Sequence, residues 1–476
     1  MLNAKNKPKV AIAGGTGFVG TAIRRTITWD FDIYALTRSQ TLANTYEDAT
    51  ETNWKRCDLF SLPDLKESLK GMDYAIYLVH SMLPSSRLTQ SSFMDLDLIL
   101  ADNFARAAEL NGIKQILYIG GLVPAGDNVS SHLASRFEVE KVLSSRSTPV
   151  TSLRTGMIVG PGGSSLKIVV NLVKRLAWIP LPHWTKSITH VVSISDMLKS
   201  IVLTLGKESY FGQQFDISNG ESFTYKKLLE QTAEVLRLKR KIFYAPFIPK
   251  KLACYGVRMA SGGSKALVEP LIQSLSHDLQ VRDNEVRDVI LKAPLTYKAA
   301  LRFSLDEDGA YLPNPREQSQ GKDLAIIRGE KKVRSVQRIK IPKGWTIHDV
   351  VDDYFKWLEF WSFKTLKCLV DDEGNTQICI NFPRIPLLKL KRVKLKREKR
   401  RALFHIVGGV LAKTEVEKKG SLEFREIIGQ DFGIVAIHDF SPYLPWYLYS
   451  DTQAIAHLIV MTLYRARLSK IAARMK

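Results

Sequence analysis

Four glycines fall within seven residues, Gly14-Gly15-Thr16-Gly17-Phe18-Val19-Gly20, directly after the apolar run Val10-Ala11-Ile12-Ala13. The residues from Phe18 to Thr28 carry helical spacing. A strand, a glycine turn and a helix in that order can hold a dinucleotide pyrophosphate. Gly14 allows the tight turn, Gly17 lets the backbone approach the phosphates, and Gly20 permits close helix–strand packing. The helix N-terminus adds N–H donors and a partial positive charge. The glycines alone are a weak signal; the strand–turn–helix context makes them a strong one.

A second strand ends Leu36-Thr37-Arg38-Ser39. NAD binders usually place a carboxylate there, on the adenosine ribose. Arg38 would instead meet a 2′-phosphate with charge-assisted hydrogen bonds, so NADP(H) is the expected cofactor, with NAD the alternative. Arg38 as a solvated loop residue is the plainer reading. Asp58, after the third strand, either contacts the adenine or caps the next turn. His80 closes the fourth strand where the nicotinamide half would run, as a functional group or as wall. His183 and His190, around Trp184, read as structural.

The elements that position these groups alternate. Val10–Ala13, Phe31–Leu36, Tyr74–Val79, Gln115–Ile119 and Val150–Leu153 read as strands. Phe18–Thr28, Leu62–Lys70, Ser92–Asn111 and His132–Ser145 read as helices. Continuous apolar strands separated by helices predict an α/β fold with a parallel, doubly wound Rossmann sheet. The pattern changes near residue 305, and the polar, Gly/Pro-punctuated residues 306–330 read as a linker. Residues 331–476 then predict a smaller α+β domain. It holds a helix over Ile347–Phe360, strands near Gln377–Phe382, Ala402–Leu411, Leu422–Ile428 and Gly433–His438, and a closing helix over Thr452–Met475. A curved sheet gripping that last helix is expected, with room beneath it for an apolar ligand.

A chain of 476 residues with 45% hydrophobic and 25% charged content is a folded protein of more than one domain, not a disordered one. Its net charge of +21 favours phosphate-bearing partners without choosing among nucleotide, nucleic acid and anionic membrane. Four scattered cysteines lack metal-site or disulfide spacing, which suits a reducing compartment. No signal-peptide pattern opens the chain, and no 18-residue apolar run occurs in it. The expected location is cytoplasmic, with peripheral contact to the inner membrane as an extension.

Further motifs carry a family resemblance. Tyr77-Leu-Val-His80-Ser81-Met82, Ser131–Glu140, Leu153–Gly160 and Pro180–Trp184 resemble the atypical extended short-chain dehydrogenases. They are similar to members close to the NmrA-like proteins and to the NAD(P)-binding accessory subunit of respiratory complex I, and the set looks like a bacterial subfamily often labelled nucleoside-diphosphate-sugar epimerase. Val333–Gln337, Leu403–Gly409, Leu422–Glu426, Ala436–Phe440 and Leu444–Tyr449 resemble that subfamily's companion domain. The resemblance implies cofactor contacts from Gly14, Thr16, Gly17, Phe18, Val19, Gly20, Thr37, Arg38, Asp58, Leu59, Val79, His80 and Arg136.

It also implies a catalytic set that this chain lacks. Standard members use a Tyr as acid/base, a Lys four residues later, and a Ser on the substrate oxygen. No Tyr-x-x-x-Lys occurs here. The matching helix reads His132-Leu-Ala-Ser-Arg136, and Gly120-Gly121 stand where the serine would be. Arg136 can hold the nicotinamide ribose. His132 is the candidate proton-transfer group, imidazole being the side chain that titrates near neutrality; the plainer reading is a structural residue at a helix start. Ser81 or a backbone N–H would replace the missing hydroxyl.

Lys389–Arg401 holds nine Lys/Arg among thirteen residues. Nucleic acid is disfavoured, because no aromatics interleave the charges. An anionic membrane surface and a solvated, aggregation-resistant sheet edge both fit. The aromatic cluster Tyr443–Tyr449 and the apolar, basic last helix favour the membrane; the same helix could instead fill its domain's core. Three functions fit the whole chain: an NADP(H)-dependent oxidoreductase or epimerase-like enzyme with altered acid/base groups, a non-catalytic dinucleotide-binding scaffold or redox sensor, or a companion domain that acts as a peripheral-membrane or lipid-ligand module regulated by the cofactor.

Overall fold

The computed structural model describes residues 7–38, 51–80, 88–124, 129–314, 332–394, 400–413 and 420–475. Ser39, Ser81, residues 395–399 of the basic run and most of the expected linker lie outside the described residues. The chain forms two compact units. The first comprises Met1–Met82 and Leu100–Gly321, the second Leu83–Ile99 and Lys322–Lys476. The segment Leu83–Ile99, read from sequence with the N-terminal half, thus groups with the C-terminal one.

The first unit is built on a seven-stranded sheet, parallel at every pairing. Across it run Gln214–Ile217, Val150–Thr155, Gln115–Gly121, Tyr74–Tyr77, Lys9–Ala13, Asp32–Thr37 and Thr52–Arg56. Helices cover both faces, so the central strands are apolar throughout: Val10, Ile12, Ile33, Ile76, Leu117 and Leu153 are all fully buried. Each such side chain contributes about 1.5–3 kcal/mol. The chain order reverses between Lys9–Ala13 and Tyr74–Tyr77, the position where doubly wound sheets bind ligands. The fourth strand stops at Tyr77, short of the expected Val79. Leu78 donates its N–H to the Ala13 carbonyl at 3.0 Å and then turns against Gly14.

Beyond the sheet, the first unit carries a smaller lobe. Met157–Val159, Ile188–Ser193 and Ser222–Thr224 form one small sheet, and Trp178–Pro182 pairs with Lys241–Ala245 in another. The helices Ser164–Arg175, Tyr225–Val235, Lys250–Ser261 and Lys265–Ser274 surround them. Gly156 brings the lobe close to the main sheet, because any Cβ there would overlap the His190 carbonyl. Burial pushes the His190 imidazole below its ordinary value, in keeping with a structural role.

The second unit holds an eight-stranded sheet. Its order is Leu366–Val370, Thr376–Ile380, Pro386–Arg392, Arg401–Gly408, Ser421–Glu426, Phe432–Phe440, Val333–Lys340 and Leu88–Gln90. Only the last pairing is parallel. The helices Ile347–Trp361 and Gln453–Arg474 fill its core. The Tyr354 and Trp357 rings each lie 5.0 Å from that of Tyr464, whose hydroxyl donates to the Val350 carbonyl at 2.8 Å. The space expected under the last helix is therefore packed with aromatic side chains.

The described start of the basic run is not a sheet edge. This start, Lys389–Arg392, lies in a strand paired on both sides, with Leu390 buried and Lys389 and Lys391 exposed. Alternation along a strand explains how one segment is both charged and structural. Arg401, at its end, is buried against Glu423, together with Arg425 and His438. Burial alone would raise the Glu423 carboxyl, but the Arg401 and Arg425 guanidinium groups and the hydrogen bond with His438 hold it well below the usual carboxylate range.

Candidate functional site

The glycine turn follows from close contact. Gly14 sits at φ +90°, a left-handed conformation that favours glycine. A Cβ on Gly20 would overlap the carbonyl oxygen of Gly14, so the first helix, Phe18–Thr26, can start only as glycine lets it. Gly17 caps that helix without any side-chain hydrogen bond, and no acid occupies the first turn. Arg24, fully buried, donates to the Gly15 carbonyl at 2.9 Å and lies 4.7 Å from the Trp54 ring centre. Sequence reading does not single out Arg24, because the adjacent Arg25 is an equally basic residue of the same helix turn and spacing alone does not say which of the two is buried. This helix start, which no side chain caps, with its Cβ-free cradle, fits a dinucleotide pyrophosphate.

A cavity of about 860 Å³ opens from this turn, entirely within the first unit. It collects eight of the expected residues: Gly14, Gly17, Phe18, Val19, Gly20, His80, His132 and Arg136. His80, just past the fourth strand, and His132, in the first turn of the helix Ser131–Leu143, bring their rings to 5.0 Å. Arg136 donates to the Ile119 carbonyl and lies 5.2 Å from the Tyr118 ring centre. The Tyr118 hydroxyl in turn donates to the Arg136 carbonyl at 3.0 Å, which locks this helix to the strand Gln115–Gly121. Gly120 and Gly121 line the wall beside it.

The other expected residues do not line the cavity. Thr16 and Thr37 are buried, and the Thr37 carbonyl accepts the Cys57 N–H at 2.7 Å. Arg38 is exposed directly after its strand. The Asp58 carboxylate accepts the Phe60 N–H at 3.1 Å. The Leu59 carbonyl accepts from the Asn103 side chain at 3.1 Å. Val79 lies half-buried between the lining residues Leu78 and His80.

Past the histidines the cavity extends into the smaller lobe, which sequence reading did not resolve. Ile168, Leu172, Ile179, Leu181, Leu229, Val257 and Leu271 are among its walls. Arg136 is the only Lys, Arg, Asp or Glu among the described lining residues. Tyr225 also lines this part, hydrogen-bonded to Thr189, and burial pushes its phenol up to about 12. Among the described residues, no cluster of His, Cys, Asp and Glu is arranged to hold a metal ion, and no helix is long and apolar enough to cross a membrane.

Comparison with known proteins agrees with this geometry. Residues 10–205 match the model of the NAD dependent epimerase/dehydratase family. The auxiliary protein GraX of Staphylococcus aureus is 32% identical over 184 residues, 36% of this chain and 59% of that protein. The chain thus spans about three fifths of the length of that relative. A solved nucleoside-diphosphate-sugar epimerase from Staphylococcus aureus shares the fold at a TM-score of 0.50 and 16% identity. That match covers 62% of this chain and 99% of the other. An NADPH-dependent quinone oxidoreductase of Escherichia coli, solved with NADPH, reaches a TM-score of 0.47 at 16% identity, over 61% of this chain and 97% of its own. Over residues 10–205, most of which lie in the first unit, the chain is thus similar to the NAD dependent epimerase/dehydratase family, and the solved epimerase shares its fold.

Proposed function

We propose that the first unit is an NADP(H)-dependent oxidoreductase acting on an apolar, uncharged acceptor. The observation that carries this reading is the cavity lining: continuous from the glycine turn, mostly apolar beyond the histidines with scattered hydroxyls such as Ser164, Thr189 and Tyr225, and charged among the described residues only at Arg136. A sugar nucleotide would bring two phosphates and many hydroxyls, which need cations and hydrogen-bond partners once buried. The dinucleotide, when bound, supplies a hydride. The Gly14–Gly20 turn and the helix it opens bind the pyrophosphate, and Arg38 meets the 2′-phosphate. Arg136 orients the nicotinamide ribose. His132, with His80 beside it, exchanges a proton with the acceptor oxygen while the apolar walls exclude water.

The test is NADPH oxidation by the full chain with short-chain quinones and apolar ketones, and with UDP-hexoses for contrast. Turnover is expected with the apolar acceptors alone, falling about 10²-fold in His132→Ala. Interconversion of UDP-hexoses would overturn the reading. Tight NADPH binding with no turnover of any acceptor would leave the scaffold or redox-sensor reading, which the missing Tyr-x-x-x-Lys favours.

For the second unit we infer contact with an anionic membrane. Its support is the exposure of Tyr443, Tyr447 and Leu448, and of Ile455, Ile459 and Leu463 on the side of the last helix away from the core.

A further inference from the structure

The apolar cavity of the first unit has a mouth, and the mouth is apolar too. Trp178, Leu252 and Tyr255 line the cavity, yet are 63%, 59% and 58% exposed. A side chain that does both stands at the rim. The helix Lys250–Ser261 supplies two of them and buries only Ser261. One turn beyond Tyr255, Met259 is 66% exposed, and Phe247, just before the helix, is 97% exposed. Phe247 also holds φ at +63°, unusual for a bulky residue. The Phe243 ring packs edge-on against Trp178 at 6.4 Å. Nothing in the first unit's core uses these groups, and large apolar side chains grouped on a surface mark an interaction site.

The charge around the mouth selects the partner. Between Glu234 and Glu269 there are eight Lys/Arg and no carboxylate, and none occurs between Glu140 and Asp196 either. Both stretches contribute to the rim. Lys241 lies 4.5 Å from the Trp178 ring centre, Lys250 and Lys251 open the rim helix, and Arg175 donates to the Ala260 carbonyl at 3.0 Å near its end. A second copy of this chain would set like charges against each other. A nucleic acid would find cations and rings, but not a use for Leu252 and Met259. Aliphatic and aromatic side chains ringed by cations suit anionic lipid headgroups over acyl chains.

We propose that this rim docks on an anionic lipid surface and admits the acceptor into the cavity directly from the lipid phase. The inference rests on the apolar-acceptor reading above and adds its source. It is separate from the membrane contact of the second unit, which involves other residues.

Co-sedimentation of the full chain with phosphatidylcholine vesicles, with and without phosphatidylglycerol, tests docking without reference to turnover. Binding is expected only with the anionic vesicles, and weakening as salt rises. Phe247→Ser with Met259→Ser, neither residue lining the cavity, should lower the partition coefficient about tenfold or more. Lys241→Glu with Lys251→Glu should do the same. With a lipid-embedded acceptor, both pairs should slow turnover in step with binding, while turnover of a water-soluble short-chain acceptor stays unchanged. Loss of vesicle binding in Ile459→Ser with Leu463→Ser, but not in the rim variants, would overturn the proposal in favour of the second unit. So would vesicle indifference combined with polyuridine binding, or with a dimer that the rim variants break. Vesicle binding through the rim without turnover of either acceptor would leave docking standing and remove the proposed reaction.

Discussion

At the residue scale, the site is legible where one residue type has one physical role. Gly14 and Gly20 could be assigned from spacing because no other residue fits a left-handed turn or a helix start against a carbonyl. Asp58 could not, because a carboxylate after a strand serves a ligand or a local N–H equally well, and here it takes the Phe60 N–H. The glycines at the missing serine position differ from each other in a way the sequence hides. A Cβ on Gly120 would lie 2.9 Å from the ring of Tyr118, which is fully buried and tethered through its hydroxyl. At Gly121 it would meet only side-chain atoms of Leu133 and Arg136, at 3.8–3.9 Å. Neither glycine has positive φ. Gly121→Ser should therefore fold with stability changed by less than about 0.5 kcal/mol. Gly120→Ser should lose about 1–3 kcal/mol through overpacking. Urea unfolding of the two variants compares them directly, and equal midpoints would contradict the assignment.

At the scale of elements, sequence and structure agree best where burial is two-sided. The first unit's central strands were readable as continuous apolar runs. Pro386–Arg392 was not, because its outward lysines mask a strand whose Leu390 is core. Leu366–Val370 hides its strand in the same way, whereas Val333–Lys340 is buried on both faces and escapes notice because its buried cation, Arg334, is paired with Asp439 rather than turned to solvent. The last helix was read correctly in extent, but it is apolar on more than one side, so spacing alone could not say which side is buried. Ala454, Met461, Tyr464 and Leu468 face the core. His457, on the same helix, lies 3.1 Å from the Ser335 hydroxyl, and burial pushes its imidazole down to about 4. Above pH ~6.5 it is neutral in folded and unfolded chains alike. Between that pH and 4 the unfolded chain takes up a proton that the folded chain refuses. Stability is thus lost as pH falls, by up to about 3 kcal/mol. Urea midpoints measured from pH 7.5 to 5 should drop, and His457→Gln should flatten part of the slope. An unchanged slope in the variant would assign the loss to other groups.

At the scale of the whole molecule, the cavity was beyond sequence reading because it is assembled from residues between Gly14 and Leu279 that no local pattern connects. Net charge, by contrast, is a whole-chain property that sequence states outright, and +21 has a consequence for the cofactor. A cationic protein draws an anionic ligand through a long-range field that salt weakens. NADPH carries a 2′-phosphate that NADH lacks, so it should feel this field more strongly. On the proposed reading the exposed Arg38 would add a local contact for the same phosphate, its strand ending Leu36-Thr37-Arg38 without a carboxylate. The two contributions separate by salt and by mutation. Raising ionic strength from about 0.02 to 0.2 M shortens the Debye length from about 20 to 7 Å. The NADPH dissociation constant should rise several-fold across this range and that of NADH less. Arg38→Ala should weaken NADPH by about 1.5–3 kcal/mol, the value of a hydrogen bond to a charged group, and leave NADH nearly unchanged. The residual salt dependence of the variant then measures the field of the whole chain. Fluorescence titration of both cofactors at two salt concentrations provides all four values. Equal affinities for NADPH and NADH in the wild type, indifferent to salt and to the loss of Arg38, would remove the preference for NADP(H).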